Sequence, residues 1–163
     1  MDTFSHGFWL YLLFNKCLHK DIIPFIFGSV VPDLGLFTAA AYLFLTGKKQ
    51  PGAGWLEAIY SNPAWRLTDE VMHSLFIWAA ILILGIVIKN TALKFFGLAA
   101  AIHILIDILT HTKFTLTYLF PLPVHRISGW VNYLDPWFLG VNFSLVSIVI
   151  LYYLAKHHNN PAS

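Results

Sequence analysis

From Ser74 to Ile88 the chain runs through fifteen residues without a charge or a proline, and Ile22–Leu45, Ala92–His111 and Trp137–Ala155 are nearly as apolar. Inside lipid there is no water to bond backbone N–H and C=O groups, so stretches like these satisfy them within themselves, as helices. Composition agrees: 58% of the 163 residues are hydrophobic and 11% charged, against roughly 25% charged in an average soluble domain. The expected fold is all-α, an integral-membrane bundle of about five helices in a single domain over residues 1–163. Its second helix is broken, and two longer loops lie on one face.

Several classes fall away. A net charge of +2, with no basic stripe interleaved with aromatics, gives a nucleic-acid partner no support. The single cysteine, Cys17, excludes an intramolecular disulfide framework and any CxxC motif. The N-terminal apolar run does not read as a signal peptide. Asp2 and His6 stand where a basic region would be, Phe8–Phe14 ends at Asn15-Lys16, and no small-x-small site precedes Asp21. Phe4–Leu18 is therefore expected as a short retained helix, with Thr3 or Ser5 as N-cap.

The second helix, Ile22–Leu45, is interrupted at Gly28-Ser29-Val30-Val31-Pro32-Asp33, where the proline predicts a kink or break. A polar connection from Gly47 to about Asn62 follows, with a weakly amphipathic stretch at Trp55–Tyr60. A third helix is expected over Leu67–Ile88, a turn at Lys89-Asn90-Thr91, a fourth helix over Ala92–His111 and a fifth over Trp137–Ala155. Between the last two lies a long loop, Thr112 to about Asp135. If each helix crosses once, the N-terminus and both long loops share one side of the membrane. Lys48, Lys49, Arg66, Lys113 and Arg126 fall on that side and Lys16, Lys20, Lys89, Lys94 and Lys156 on the other, so basic residues do not orient the bundle.

Ionisable groups inside spanning segments are costly, by about 2.5 kcal/mol or more for Asp at a helix centre, and point to function. Here they are His6, Asp33, Asp69, His73, His103, Asp107 and His111. By parity the helix ends carrying His6, His73 and the 103–111 run face one side, toward which Asp33 also climbs. His103-x3-Asp107-x3-His111 sets three side chains on one helical face with about 6 Å of rise between neighbours. His103 with Asp107, or Asp107 with His111, can chelate an ion. The two histidines, about 12 Å apart along the axis, share one only if Asp107 bridges two metals. Asp69 and His73 repeat the i, i+4 geometry. Plainer readings stand beside this one: a histidine bonded to a neighbouring helix, Asp33 capping the second half of a broken helix, Asp69 and Glu70 as first-turn dipole partners, or a proton path along the stripe. His125, Arg126 and Asp135 in the second loop are either substrate contacts or plain surface, and His19, His157 and His158 lie beside polar termini.

Taken in order, Ser5-His6-Gly7, Gly28-x3-Pro32-Asp33, His73-Ser74, His103-x3-Asp107 with Thr110-His111, and the loop Phe120-Pro121-Leu122-Pro123 resemble the membrane-bound metal-dependent hydrolases. That bacterial family is similar in ligand pattern to zinc-dependent phospholipase C. The resemblance spans residues 5 to about 138. It implies a multi-helix membrane protein of the bacterial cytoplasmic membrane, with a metal site built from His6, Asp33, His73, His103 and Asp107 that hydrolyses an ester or phosphoester. The chain departs from the better-known branch before helix three. It reads Thr68-Asp69-Glu70-Val71-Met72-His73-Ser74, so an upstream histidine is missing and Asp69 is its candidate replacement.

The function expected is metal-assisted hydrolysis of a phosphoester or ester, small-molecule or lipid-derived, at the membrane interface. The metal ligands are drawn from His6, Asp33, His73, His103, Asp107 and His111. One to three divalent ions are expected, zinc preferred because imidazole ligands favour it. Asp33 or Asp69 is the expected proton acceptor, and Arg126 and His125 are expected to meet the substrate. The rivals are a metal or proton relay and a silent scaffold holding a structural metal.

Overall fold

Local capping chemistry decides where the helices begin. The computed structural model describes residues 1–48, 54–112, 117–122 and 127–159, the side chains of 157–159 excepted. Helix α1 (Thr3–Leu18) is capped by Asp2 rather than by Thr3 or Ser5. Its extended backbone lets the carboxylate accept from the Ser5 N–H at 2.9 Å. The chain then reverses through His19–Asp21 into α2 (Ile22–Val30), which runs back along α1 and sets Phe25 against Phe14 with ring centroids 5.0 Å apart. The expected break follows as a tight 3₁₀ turn, Val31–Asp33, centred on Pro32, and α3 (Leu34–Leu45) continues beyond it. The stretch Trp55–Tyr60 forms a short helix, α4, burying Leu56 and Ile59.

The third expected helix is corrected twice. It starts at Pro63, not Leu67, because Asn62 caps it by accepting from the Ala64 N–H at 2.9 Å and proline suits the first helical position. It also does not run on to Ile88: α5 (Pro63–Met72) stops at His73, and α6 (Leu75–Val87) restarts after an extended Ser74. The cause is tertiary. The Leu75 N–H donates to the Tyr118 carbonyl at 2.9 Å and the Ser74 hydroxyl to the Phe120 carbonyl at 2.5 Å, so a distant loop takes up groups that a continuous helix would use. Helix α7 (Thr91–Thr110) is capped by Asn90, and α8 (Pro136–Asn159) follows the second loop. The fold is all-α, with no strand among the described residues, and five main helical runs of which the second and third are interrupted.

Among the described residues, four stretches are long and apolar enough to cross a membrane: Thr3–Leu45, Pro63–Val87, Thr91–Thr110 and Pro136–Lys156. The first contains the reversal at His19–Asp21. Helix α7 packs against both α2 and α6, while α3, α4 and α5 pack on one another, and the turn at Val31–Asp33 touches both α5 and α7. Close approach depends on small residues. A Cβ on Gly28 would overlap the Phe96 carbonyl, and one on Gly97 would lie 2.7 Å from the Leu82 nitrogen. Buried clusters form the core, one around Trp78, Ala100, Ile104 and Tyr118 and another around Leu10, Phe25 and Ala99. Helix α8 is fastened to α1 by Asn142, which accepts from the Trp9 indole at 2.9 Å and donates to the Ser5 hydroxyl at 2.6 Å. Outward faces carry large apolar side chains such as Leu45, Val87 and Leu151, as suits lipid contact.

Candidate metal centre

Each helix break delivers one polar side chain to a shared buried group, and α7 supplies two more. Asp33 closes the 3₁₀ turn and takes the N-cap position of α3, but its carboxylate makes no capping bond. The plainer reading of Asp33 as a cap is thereby set aside. His73 closes α5 in the same way. His103 and Asp107 stand one turn apart on α7, both buried.

One ligand atom from each of Asp33, His73, His103 and Asp107 lies within 4.8 Å of the others, and all four residues are buried. His103 Nε2 is 3.1 Å from Asp107 Oδ2 and 3.6 Å from Asp33 Oδ1. His73 Nε2 is 3.4 Å from Asp33 Oδ1 and 3.7 Å from Asp107 Oδ2. Four tetrahedral ligands at ~2.1 Å from a zinc ion stand about 3.4 Å from one another. The observed separations bracket that value, so this group could hold a metal ion.

The far side of each residue is engaged. His103 donates from Nδ1 to the Ser29 carbonyl at 2.7 Å, and His73 from Nδ1 to the Asp69 carbonyl at 3.0 Å. A carbonyl only accepts, so Nδ1 carries the proton and a neutral ring presents its Nε2 lone pair inward, the tautomer that metal ligation uses. Asp107 Oδ1 accepts from His6 Nε2 at 2.9 Å and from the Met1 amino group at 2.6 Å. Asp33 Oδ2 accepts a short hydrogen bond from the Thr3 hydroxyl. His103 Nε2 is buried and makes no hydrogen bond among the described residues despite its nearness to Asp107. Two carboxylates and two lone pairs turned toward one point are unfavourable in a dry interior unless a cation neutralises them.

The other expected site residues are placed as follows. His6, fully buried, stacks on the His103 ring at a centroid distance of 3.8 Å and bonds the outer oxygen of Asp107. Asp69 stands behind His73, with Oδ1 3.2 Å from Nδ1 and Oδ2 accepting from the Tyr60 hydroxyl at 2.7 Å. His111 ends α7, donates from Nδ1 to the Asp107 carbonyl at 3.0 Å and packs its ring against Tyr133. None of these three belongs to the four-residue group, and all three touch members of it. Glu70 pairs with Arg66 at 3.2 Å, and the Asp135 carboxylate accepts from Asn132. His125 and Arg126 lie outside the described residues.

A cavity of about 660 Å³ opens onto the group. Asp33, Asp69, His73, Asp107 and His111 border it on the polar side, and Leu36, Phe37, Trp55 and Leu56 form an apolar wall. Tyr60, Tyr118 and Tyr133 also line it, and nothing in the sequence marked them. Burial, reinforced by the Asp107 carboxylate, pushes the Tyr133 phenol up to about 12, and burial raises Tyr60 and Tyr118 above the ordinary phenol range. All three are proton-bearing donors at neutral pH. Comparison with family models, curated proteins and solved structures finds no match to this chain.

Proposed function

We propose that this chain is a membrane-embedded, metal-dependent hydrolase of a phosphoester or ester, lipid-derived or small, working where the membrane meets water. The observation that carries the reading is the four inward ligand atoms, each with its outer atom held by a separate partner, at the edge of a cavity large enough for a substrate. Asp33, His73, His103 and Asp107 would hold the ion. Mixed imidazole and carboxylate donors suit zinc, and manganese or ferrous iron next. When bound there, a divalent ion would supply Lewis acidity toward the scissile oxygen and toward a water molecule.

The protein's own groups supply the remainder. With Asp33 Oδ1 among the inward ligand atoms, Asp69 would be the proton acceptor: it borders the cavity, and its Oδ1 makes no hydrogen bond among the described residues. The apolar wall at Leu36, Phe37, Trp55 and Leu56 would hold the hydrocarbon portion of an amphiphile and exclude water from the reacting group. The ordered likeness to the membrane-bound metal-dependent hydrolases supports the same reaction class and a place in the bacterial cytoplasmic membrane.

The test is elemental analysis of protein purified in detergent without added metal, followed by assays on a chromogenic phosphodiester and a chromogenic ester. The expected result is bound zinc, with cleavage abolished by a chelator and restored by zinc. Bound metal with no cleavage of either class would make the chain a scaffold, and ion movement in proteoliposomes would make it a relay.

A further inference from the structure

The cavity wall includes a buried tyrosine whose hydroxyl is unpaired among the described residues. Tyr118 is 2% exposed, its ring sits in the cluster with Trp78, Ala100 and Ile104, and its hydroxyl has no hydrogen-bond partner among the described residues. The neighbouring tyrosine differs: the Tyr60 hydroxyl donates to Asp69 at 2.7 Å. A buried donor left unsatisfied carries a desolvation penalty, and such groups in native proteins call for an explanation.

The position of Tyr118 is fixed with respect to the metal group. Its carbonyl accepts from the Leu75 N–H at 2.9 Å, and two residues on, the Phe120 carbonyl accepts from the Ser74 hydroxyl at 2.5 Å. Both anchors immediately follow His73. The loop is thus pinned to the helix break that carries a ligand, and Tyr118 shares the cavity wall with Asp33, His73 and Asp107. A neutral hydroxyl beside the cavity, shielded from solvent and with no acceptor among the described residues, is a donor available to something that enters and contacts it.

We propose that the Tyr118 hydroxyl is a substrate-binding donor that bonds the non-leaving oxygen of the scissile phosphoryl or acyl group. The proposal rests on the hydrolase reading above. Hydrolysis concentrates negative charge on that oxygen, and a preorganised donor strengthens as the charge develops.

Tyr118→Phe keeps the ring and removes only the hydroxyl. Zinc-loaded wild type and Y118F are compared by calorimetric titration with inorganic phosphate and, separately, acetohydroxamate, so that the arms distinguish a phosphoryl from an acyl oxygen. The expected result is binding weakened about tenfold or more in at least one arm. Zinc content should be unchanged, and the thermal midpoint of the metal-free protein equal or higher, since an unpaired buried hydroxyl has been deleted. Equal affinities in both arms would overturn the role of Tyr118 while leaving the metal reading intact. So would a lower thermal midpoint in metal-free Y118F, which would give the hydroxyl a structural partner. Wild type that holds no metal, or holds it and binds neither probe, would overturn the hydrolase reading and this proposal with it.

Discussion

His103 donates from Nδ1 to the Ser29 carbonyl at 2.7 Å, and this one bond ties α7 to the last turn of α2 while turning Nε2 toward Asp33 and Asp107. The same device recurs at His73, whose Nδ1 is held by the Asp69 carbonyl. Holding a ring by its outer nitrogen fixes both the tautomer and the aim of the inner one.

Asp107 offers the sharpest test of the centre, because its two oxygens serve different partners. Asp107→Ala should reduce zinc affinity by more than about 100-fold, beyond the range usual for an outer partner. Membrane insertion should persist, since deleting a charge lightens the transfer cost. Full zinc occupancy in D107A, measured by elemental analysis after chelator competition, would count against the site.

His6 should behave differently from the four inward residues. It reaches the centre only through the outer oxygen of Asp107 and by stacking on His103. His6→Gln is expected to retain zinc with affinity lowered roughly 10- to 100-fold. Metal loss as complete as in D107A would instead make His6 a ligand.

Acid should release the ion. Ligation needs neutral imidazoles, so protons compete with the ion as the pH falls. With two histidines in the group, the apparent zinc affinity should fall by up to about 100-fold per pH unit once both rings are protonated in the metal-free protein, and level off at higher pH. Zinc titrations at several pH values read this slope, and a flat profile would contradict imidazole ligation.

Two glycines should respond in opposite ways. A Cβ on Gly28 would overlap the Phe96 carbonyl at the α2–α7 crossing, whereas nothing lies within 4 Å of one on Gly140 in α8. Gly28→Val is expected to destabilise by about 1–3 kcal/mol or more, as overpacking does. Gly140→Ala should be neutral or stabilising by about 0.5–1 kcal/mol, through backbone entropy. Thermal unfolding in detergent compares them, and equal responses would show that the helix crossing is not tightly packed.

The polar groups that stood out against apolar surroundings were readable because lipid-length stretches leave few reasons for an imidazole or a carboxylate. The His103–Asp107 pair was legible in detail, since an i, i+4 spacing on a helix is a local property. The helix break at His73-Ser74 was not. Leu67–Ile88 has the pattern of one helix, and the break depends on Ser74 and Leu75 bonding a loop more than forty residues away. Tyr118 was invisible for the same reason.

The order of residues by itself determined the all-α architecture, the break at Pro32 and the inventory of groups able to bind an ion. These follow from backbone satisfaction, proline sterics and helical periodicity, all of which act over a few residues. Only the tertiary structure decided which groups face inward. His6, Asp69 and His111 have the same chemistry as the four central residues. What separates them is which nitrogen or oxygen is already taken by Ser29, Thr3, Tyr60 or a turn of α7, and such allocation exists only after helices from distant parts of the chain have packed.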